Sequence, residues 1–170
     1  MTAASRKTRA RFQPPARRGE DAPLELDPTL SFMRTLWALD HELRLGSKRM
    51  HARFGLTGPQ RVVVRIIGEF PGSSAGSVST ILNLHPSTLT EILKTLDGLG
   101  LVERRAHAED RRRAILHLTA KGRRINRLQT GTVEASVREA MRSLPRRKIQ
   151  ITEEVLSALT RQLAREHEDR

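Results

Sequence analysis

Residues 84–127 contain the side chains best suited to bind another molecule, and their chemistry suits a nucleic acid. Residues 102–127 contain nine Lys and Arg against three acidic residues, whereas residues 85–100 contain one Lys against two acids. Guanidinium groups pair with phosphate oxygens, while hydroxyl, carboxylate and single ammonium groups can read base edges. The arginine-rich segment is therefore predicted to hold a phosphate backbone and the other to read bases. A solvated charged loop is the alternative interpretation of the arginines.

An amphipathic helix must present the base-reading side chains. Apolar residues recur at helical spacing between residues 84 and 99, so one stripe can be buried while the polar positions face outward. Pro86 suits the first turn of this recognition helix, and Gly100 suits its left-handed end. The predicted DNA-binding residues here are His85, Pro86, Ser87, Thr88, Thr90, Glu91 and Lys94.

A β hairpin must present the arginines. An apolar run begins at Leu101, and Ala114, Leu116 and Leu118 alternate as in a half-buried strand, so the charged residues from 104 to 113 are predicted to crowd the loop between two strands. The predicted DNA-binding residues of this wing are Arg104, Arg105, His107, Asp110, Arg111, Arg112 and Arg113.

Two short helices are predicted before the recognition helix. Residues 57–60 have the pattern of a capping box, which predicts a mostly buried helix that ends near Pro71. Ser73 or Ser74 can cap a second helix. The tight connection at residues 83–85 then gives helix-turn-helix geometry.

Longer helices are predicted on both sides of this unit. The apolar stripes of residues 27–53 are wider than one intramolecular contact requires. Thr119 is predicted to cap one helix that continues to Leu144, and Pro145 starts another because proline cannot easily continue the first. The fold class that follows is mainly α (α+β), a winged helix-turn-helix with N- and C-terminal helices forming a dimerisation layer.

Composition limits the possible functions. The 170 residues carry a formal net charge of +12, which favours a polyanionic partner. The absence of cysteine excludes disulfides and thiolate metal sites, and an aromatic content of 3% without tyrosine argues against a base-stacking platform. No apolar run approaches a membrane span, so a soluble, cytoplasmic protein with no membrane partner is expected.

The N-terminal residues 1–23 form a basic segment of their own. They include six Lys and Arg, three prolines and almost nothing apolar, so burial cannot offset the entropy of ordering them. A disordered basic tail is predicted. It either keeps the protein soluble or contacts DNA as an arm, and the sequence favours neither interpretation.

Residues 72–76 match the G-x-S-x-G pattern of hydrolases, with Ser74 at the nucleophile position. That pattern requires a sharp strand-to-helix turn with an acid and a histidine placed by the fold, whereas here a helix is predicted to precede it. The six histidines include no H-E-x-x-H and no close pair. The sequence therefore predicts no enzyme, no catalytic residue, no metal site and no cofactor.

The order of these motifs resembles that of the MarR family of transcriptional regulators. The resemblance covers about residues 30–165 and implies one MarR-like domain over residues 24–170, with a winged helix-turn-helix at 55–119 and dimerisation helices at 24–54 and 120–170. It rests on Leu56-Thr57-x-x-Gln60, on Pro86-Ser87-Thr88 with Gly100-Leu101-Val102-Glu103-Arg104-Arg105, and on Asp110-Arg111-Arg112 followed by Leu118-Thr119-x-x-Gly122.

The resemblance implies a homodimer that binds double-stranded DNA specifically at a pseudo-palindromic operator, more often as a repressor. It also implies that Asp110 orients Arg112 into the minor groove. An aromatic or phenolic small-molecule effector is expected to bind in a cleft near Trp37, His41 and the helix from Gln60 to Phe70. The chain departs from the family pattern at His85, where serine is usual. His85 is therefore expected either to cap the recognition helix poorly or to reach a phosphate itself.

An architectural protein that binds nucleic acid without sequence preference is the alternative function. It explains the net charge and the basic tail equally well, but it does not explain a capped helix-turn-helix. The two functions differ on scrambled DNA, where a specific regulator loses about a thousandfold or more in affinity and an architectural protein almost nothing.

Overall fold

The computed structural model describes residues 25–107 and 114–168, which form helices and one antiparallel pair of strands. The elements are α1 (Pro28–Phe54), α2 (Gly58–Glu69), α3 (Ala75–Leu82), α4 (Pro86–Gly98), β1 (Val102–Ala106), β2 (Ala114–Leu118), α5 (Ala120–Asn126), α6 (Val133–Arg142) and α7 (Arg146–Glu168). The predicted fold class is confirmed: the structure is mainly helical, with a small hairpin. The chain divides into one unit that ends at Leu36 and a second that begins at Trp37.

Helix α2 begins with the predicted capping box. The Thr57 N–H donates to Gln60 Oε1 at 3.0 Å, and the Gln60 N–H donates to Thr57 Oγ1 at 3.5 Å. These bonds satisfy two backbone donors that the first turn leaves without helical partners. Behind the cap, Val63, Val64 and Ile67 are completely buried in the core. The capping box therefore fixes where α2 begins, and burial of its apolar face stabilises it.

Helices α3 and α4 form the predicted helix-turn-helix. Ser74, rather than Ser73, caps α3 by accepting from the Ser77 N–H at 3.0 Å. Asn83 ends α3 in the left-handed conformation at φ 48°, which asparagine tolerates better than most residues. Three leucines at helical spacing on α4, Leu89, Leu93 and Leu96, then enter the same core as α2.

The hairpin is hydrogen-bonded to the loop between α2 and α3. The Gly72 N–H donates to the carbonyl oxygen of Leu116 in β2 at 3.0 Å, and the Leu116 N–H donates to the carbonyl oxygen of Ser73 at 2.9 Å. The prediction that Arg104 and Arg105 lie in the loop is wrong, because both belong to β1, opposite Leu116 and Ile115. Beyond residue 103 every residue of β1 is exposed. Charged side chains can therefore stay in water while the backbone hydrogen bonds to β2 maintain the strand.

The predicted single helix from Thr119 to Leu144 is wrong, because the chain breaks it into α5 and α6. Gly131 has φ +71°, a conformation that residues other than glycine rarely adopt, and Thr132 caps α6 by accepting from the Ala135 N–H at 3.3 Å. The apolar periodicity continues across the break, which is why the pattern indicated one helix.

Arg61 fills the gap that this break creates. Its side chain is 2% exposed, and its Nε donates to Glu134 Oε1 at 2.6 Å. The rest of the guanidinium donates to three carbonyl oxygens in the last turn of α5 and the α5–α6 connection, those of Ile125, Asn126 (3.2 Å) and Leu128 (3.0 Å). Carbonyls at the end of a helix lack helical partners and carry partial negative charge. One cation therefore satisfies them and a carboxylate together.

Helix α5 begins against the end of the recognition helix. Thr119 accepts from the Gly122 N–H at 3.0 Å and donates to Gly100 O at 2.6 Å. A β-carbon built on Gly122 would lie 2.0 Å from the Leu101 carbonyl oxygen, well inside contact distance. The cap at Thr119 and this close approach explain why glycine follows three residues after threonine in the sequence Leu118-Thr119-x-x-Gly122.

Gly122→Ala should lower the free energy of unfolding by about 1–3 kcal/mol, because the new methyl group forces the backbone of α5 and β1 apart. Gly98→Ala is the matched control: nothing lies within 4 Å of the added β-carbon, so the change should be neutral or stabilising by up to about 1 kcal/mol. Urea unfolding measures both, and equal midpoints for the two variants would contradict the close approach.

Arg61→Met should cost about 3–5 kcal/mol of unfolding free energy, because it removes the hydrogen bonds to three carbonyls and takes from the half-buried Glu134 carboxylate and the Leu128 carbonyl the donor that Arg61 supplies. Arg65→Met is the control on the same helix, since Arg65 binds only Asn126, at 3.2 and 3.3 Å. That change should cost about 1 kcal/mol or less. Guanidinium-induced unfolding compares them, and an Arg61→Met protein as stable as Arg65→Met would show that the buried network does not hold the fold.

Candidate nucleic-acid interface

Helix α4 presents its predicted DNA-binding residues to solvent. Every member of the set, from His85 to Lys94, is exposed, whereas Leu89 and Leu93 of the same segment are buried. The structure therefore places all of these side chains on the solvent-exposed face of one helix, whose opposite face packs against the core.

His85 is the N-cap of α4. Its Nδ1 lies 2.7 Å from Ser87 Oγ and accepts from the Ser87 N–H at 3.4 Å. The expectation that His85 caps poorly is therefore wrong, because the imidazole nitrogen provides the acceptor that serine would provide with its hydroxyl. The cap uses only the Nδ1 edge of the ring. Nε2 is on the other edge and keeps its capacity to bind.

The remaining polar side chains of α4 differ in what they can offer a base. Thr90 Oγ1 donates to the Pro86 carbonyl at 2.8 Å, so it retains acceptor capacity and a methyl group. Thr88, Glu91 and Lys94 make no side-chain hydrogen bond with any described residue. Lys94 can donate to guanine O6 and N7, and Glu91 can accept from the amino group of cytosine.

The hairpin carries part of the predicted wing set. Arg104 is exposed and has no ion-pair partner among residues 25–107 and 114–168. Arg105 Nη2 lies 2.5 Å from Glu103 Oε1 in a pair that is largely exposed and therefore weak. His107 is half-buried. The other predicted wing residues lie outside the described residues; they are Asp110, Arg111, Arg112 and Arg113.

Four of the nine basic residues between 102 and 127 belong to α5 or its end, and three of them bind carbonyl oxygens of the protein. Lys121 Nζ donates to Leu99 O at 2.8 Å, at the end of the recognition helix, and Arg123 donates to Leu118 O at 2.8 Å. Arg127 donates to Arg123 O at 3.4 Å. Charge counting along the sequence missed this structural role, because it cannot show which cations face protein carbonyls.

A cavity of about 560 Å³ lies beside the helix-turn-helix, between α1, α2, α6 and the α3–α4 turn. Its lining residues are Asp40, Leu43, Arg44, Ser47, Gly58, Pro59, Val62, Leu82, Leu84, Val133, Glu134 and Val137. The predicted cleft residues Trp37 and His41 do not line it, and Trp37 is 64% exposed. Successive residues of a helix are about 100° apart, so these two lie roughly a quarter turn away from the wall formed by Asp40, Leu43 and Ser47.

Neither a metal-binding group nor a membrane-spanning helix is found in the described part of the chain. No group of three or more His, Cys, Asp or Glu side chains there could hold a metal ion. None of its helices is both long and apolar enough to cross a bilayer.

Comparison with known proteins identifies the family. A sequence model of the MarR family matches residues 56–114. The transcriptional regulator HosA of Escherichia coli O157:H7 is 34% identical over 90 residues, which cover 50% of this chain and 67% of HosA. The chain belongs to the MarR family. The HTH-type transcriptional regulator TtmR of Methylorubrum extorquens (strain PA1) is 34% identical over 105 residues, which cover 62% of this chain and only 53% of TtmR.

The similarity extends to solved structures. FabT of Streptococcus pneumoniae, solved in complex with DNA, aligns with a TM-score of 0.59 and 24% identity over 80% of this chain and 97% of FabT. At this identity the alignment shows a shared fold. The MarR match at residues 56–114 contains α2, α3, α4 and β1 and stops at the first residue of β2. The cavity residues of α1 and α6 lie outside it.

His85→Ala should lower the free energy of unfolding by about 1 kcal/mol, because the first turn of α4 loses its cap, whereas His85→Ser should retain most of the stability. Thermal and urea unfolding of the two variants provide the measurement. Equal losses would mean that the Nδ1 contact does not stabilise the helix.

Proposed function

We propose that this protein is a transcriptional regulator that binds double-stranded DNA sequence-specifically as a homodimer, and that it acts in the cytoplasm by binding rather than by catalysis. The observation that carries the proposal is that α4, anchored in the core by three leucines, exposes Thr88, Glu91 and Lys94, whose side chains make no hydrogen bond with any described residue. Such a surface suits the major groove, where each base pair presents its own pattern of donors and acceptors.

Specificity and affinity are divided between two elements in this proposal. Helix α4 bears one cation against two acids between residues 85 and 100, so it adds little attraction for phosphates in general. The hairpin supplies that attraction through Arg104 and through residues 111–113, with Asp110 orienting Arg112 into a narrow minor groove. The HosA and TtmR names, both of transcriptional regulators, support the same function.

Exposed apolar side chains on the terminal helices support the homodimer. In α6, α7 and the segment between them they are Met141, Leu144, Ile151, Val155 and Leu163, and in the α1 residues from 37 onward they are Trp37 and Leu39, whereas the exposed Leu43 and Val137 line the cavity. A soluble chain that leaves this many large apolar side chains in water gains stability when a second copy covers them. We therefore propose that residues 24–54 and 120–170 form the dimerisation layer. Two copies of the winged helix-turn-helix at residues 55–119 would then meet half-sites about ten base pairs apart in a pseudo-palindromic operator.

We further propose that the regulator is a repressor released by a small molecule bound in the cavity beside α2. The cavity touches both α2 of the helix-turn-helix and α6 of the dimerisation layer, so an occupant can favour one spacing of the two recognition helices. Equal affinity of an effector for the free and the DNA-bound protein would rule out this regulation.

Binding to a duplex from the upstream region of its own gene should exceed binding to a shuffled duplex of equal composition by about a thousandfold at near-physiological salt. Fluorescence anisotropy provides the measurement. Equal affinity for these duplexes and for other genomic duplexes would instead indicate an architectural protein without sequence preference.

Single variants then separate the two elements. Lys94→Ala should relax discrimination at one base position by about 1–3 kcal/mol, whereas Arg112→Ala should weaken binding to all sequences and reduce the salt slope by about one. Arg161→Ala, which removes the same charge from an exposed position of α7, is the control. An unchanged affinity and salt slope for Arg112→Ala would exclude the wing assignment.

A further inference from the structure

The cavity between α1, α2 and α6 has an aliphatic wall that surrounds one carboxylate. Leucine, valine and proline form most of the lining, and no aromatic residue is among them. Glu134 projects from the first turn of α6, and its side chain is 23% exposed. An apolar molecule that enters this cavity therefore meets a half-buried carboxylate beside aliphatic side chains, of which Leu43, Val62 and Val137 remain exposed.

Glu134 keeps one oxygen available. Its Oε1 accepts from Arg61 Nε at 2.6 Å, and its Oε2 makes no hydrogen bond with any described residue. An ionised carboxylate has about four acceptor sites, so a second donor can bind without displacing the first. Arg61 itself does not line the cavity and reaches the carboxylate from the core side.

The other polar groups of the lining add acceptors more than donors. Asp40 contributes a second carboxylate, which is 53% exposed and paired at 2.8 Å with Arg44, a lining residue whose own side chain is 79% exposed. Ser47 Oγ already accepts from the Gly58 N–H at 2.8 Å. Both carboxylates already have an arginine partner, so the cavity selects its ligand through the unused Glu134 Oε2, an acceptor that a positively charged donor satisfies and an anion cannot.

We propose that the cavity binds an apolar amine, whose ammonium group donates to Glu134 Oε2 while its hydrocarbon part fills the aliphatic wall. This inference rests on the proposed regulatory function and names the effector class: an apolar cation, rather than a phenol or an aromatic acid.

The same contact provides a route from the cavity to the fold. Glu134 is shared between the cavity and Arg61, and Arg61 holds the carbonyls of Ile125, Asn126 and Leu128 in the last turn of α5 and the α5–α6 connection. An ammonium group at Oε2 places a second cation on the carboxylate, which reduces the attraction between Glu134 and Arg61 without displacing Arg61. Binding is thereby transmitted to the connection between the winged helix and α6.

Isothermal titration of the full-length protein at pH 7 with three probes tests the ligand class. The probes share one ring system and differ in charge: 1-naphthylmethylamine, 1-naphthylmethanol and 1-naphthoate. The amine should bind about tenfold more tightly than the alcohol, as expected for a charge-assisted hydrogen bond, and the naphthoate should bind most weakly. A naphthoate that binds as tightly as the amine, or no binding by any probe, would overturn the proposal.

Two variants assign the preference to one residue. Glu134→Gln should reduce the amine-to-alcohol ratio to about one, since the charge is lost while the shape is retained. Glu139→Gln removes the same charge from an exposed position on the same helix that does not line this cavity, and it should leave the ratio unchanged. A retained ratio in folded Glu134→Gln overturns the proposal. If that variant does not fold, the ranking of the three probes on the natural protein still decides.

DNA binding is measured separately, so the two proposals can fail independently. Naphthylmethylamine should weaken binding of the natural protein to its specific duplex by at least about fivefold, within the usual range of allosteric coupling, and should not do so in Glu134→Gln. Failure to bind any duplex specifically would overturn the proposed function and leave the calorimetric ranking intact. Specific DNA binding with no preference for the amine would overturn only the ligand class.

Discussion

The guanidinium of Arg61 holds together parts of the structure that lie more than sixty residues apart in sequence. Removing a guanidinium from water is unfavourable unless its donors are satisfied, and here a carboxylate and three carbonyls satisfy them. The carbonyls of Ile125 and Asn126 belong to the last turn of α5, and that of Leu128 belongs to the connection, which ends at Thr132, the N-cap of α6. The break between α5 and α6 and the buried arginine therefore depend on each other. The position of α6 relative to the helix-turn-helix follows from that pairing.

The net charge of the chain is spread over several roles. Lysine and arginine side chains on α5 bind carbonyls at the end of α4 and β2, while Arg104 points to solvent from the hairpin. The exposed surface of α4 is almost neutral. A helix of this kind gains little from phosphate attraction alone, so its contribution to binding depends on matching donors and acceptors with bases. A DNA sequence whose bases do not match these donors and acceptors would offer α4 few favourable contacts.

Features that depend on nearby residues could be predicted from the sequence, and features that depend on distant contacts could not. The capping box at Thr57, the apolar stripe of α4 and the left-handed Gly100, at φ +65°, each follow from a few adjacent residues. The role of Arg61 depends on carbonyls in another part of the chain, and nothing in its local spacing indicates burial. The cleft was predicted near Trp37 from family resemblance, but the rotation of α1 turns Asp40, Leu43 and Ser47 towards the cavity. Asp110 and Arg112 lie outside the described residues, and their roles stay predictions.

The backbone pairing between β2 and the α2–α3 loop determines how the hairpin can deform. Leu116 of β2 makes one backbone hydrogen bond with Gly72 and one with Ser73, in addition to its pairing with β1. At Ala106 and Ala114 the described backbone contacts are those between the two strands. Any bending must therefore pivot beyond Leu116, while the strand ends near Val102 and Leu118 stay fixed to the core that supports α4. A surface that approached the strand ends at Ala106 and Ala114 could therefore displace them without changing the angle of α4. In the proposed complex with DNA, this would let the hairpin fit the width of a groove independently of the way α4 meets the bases.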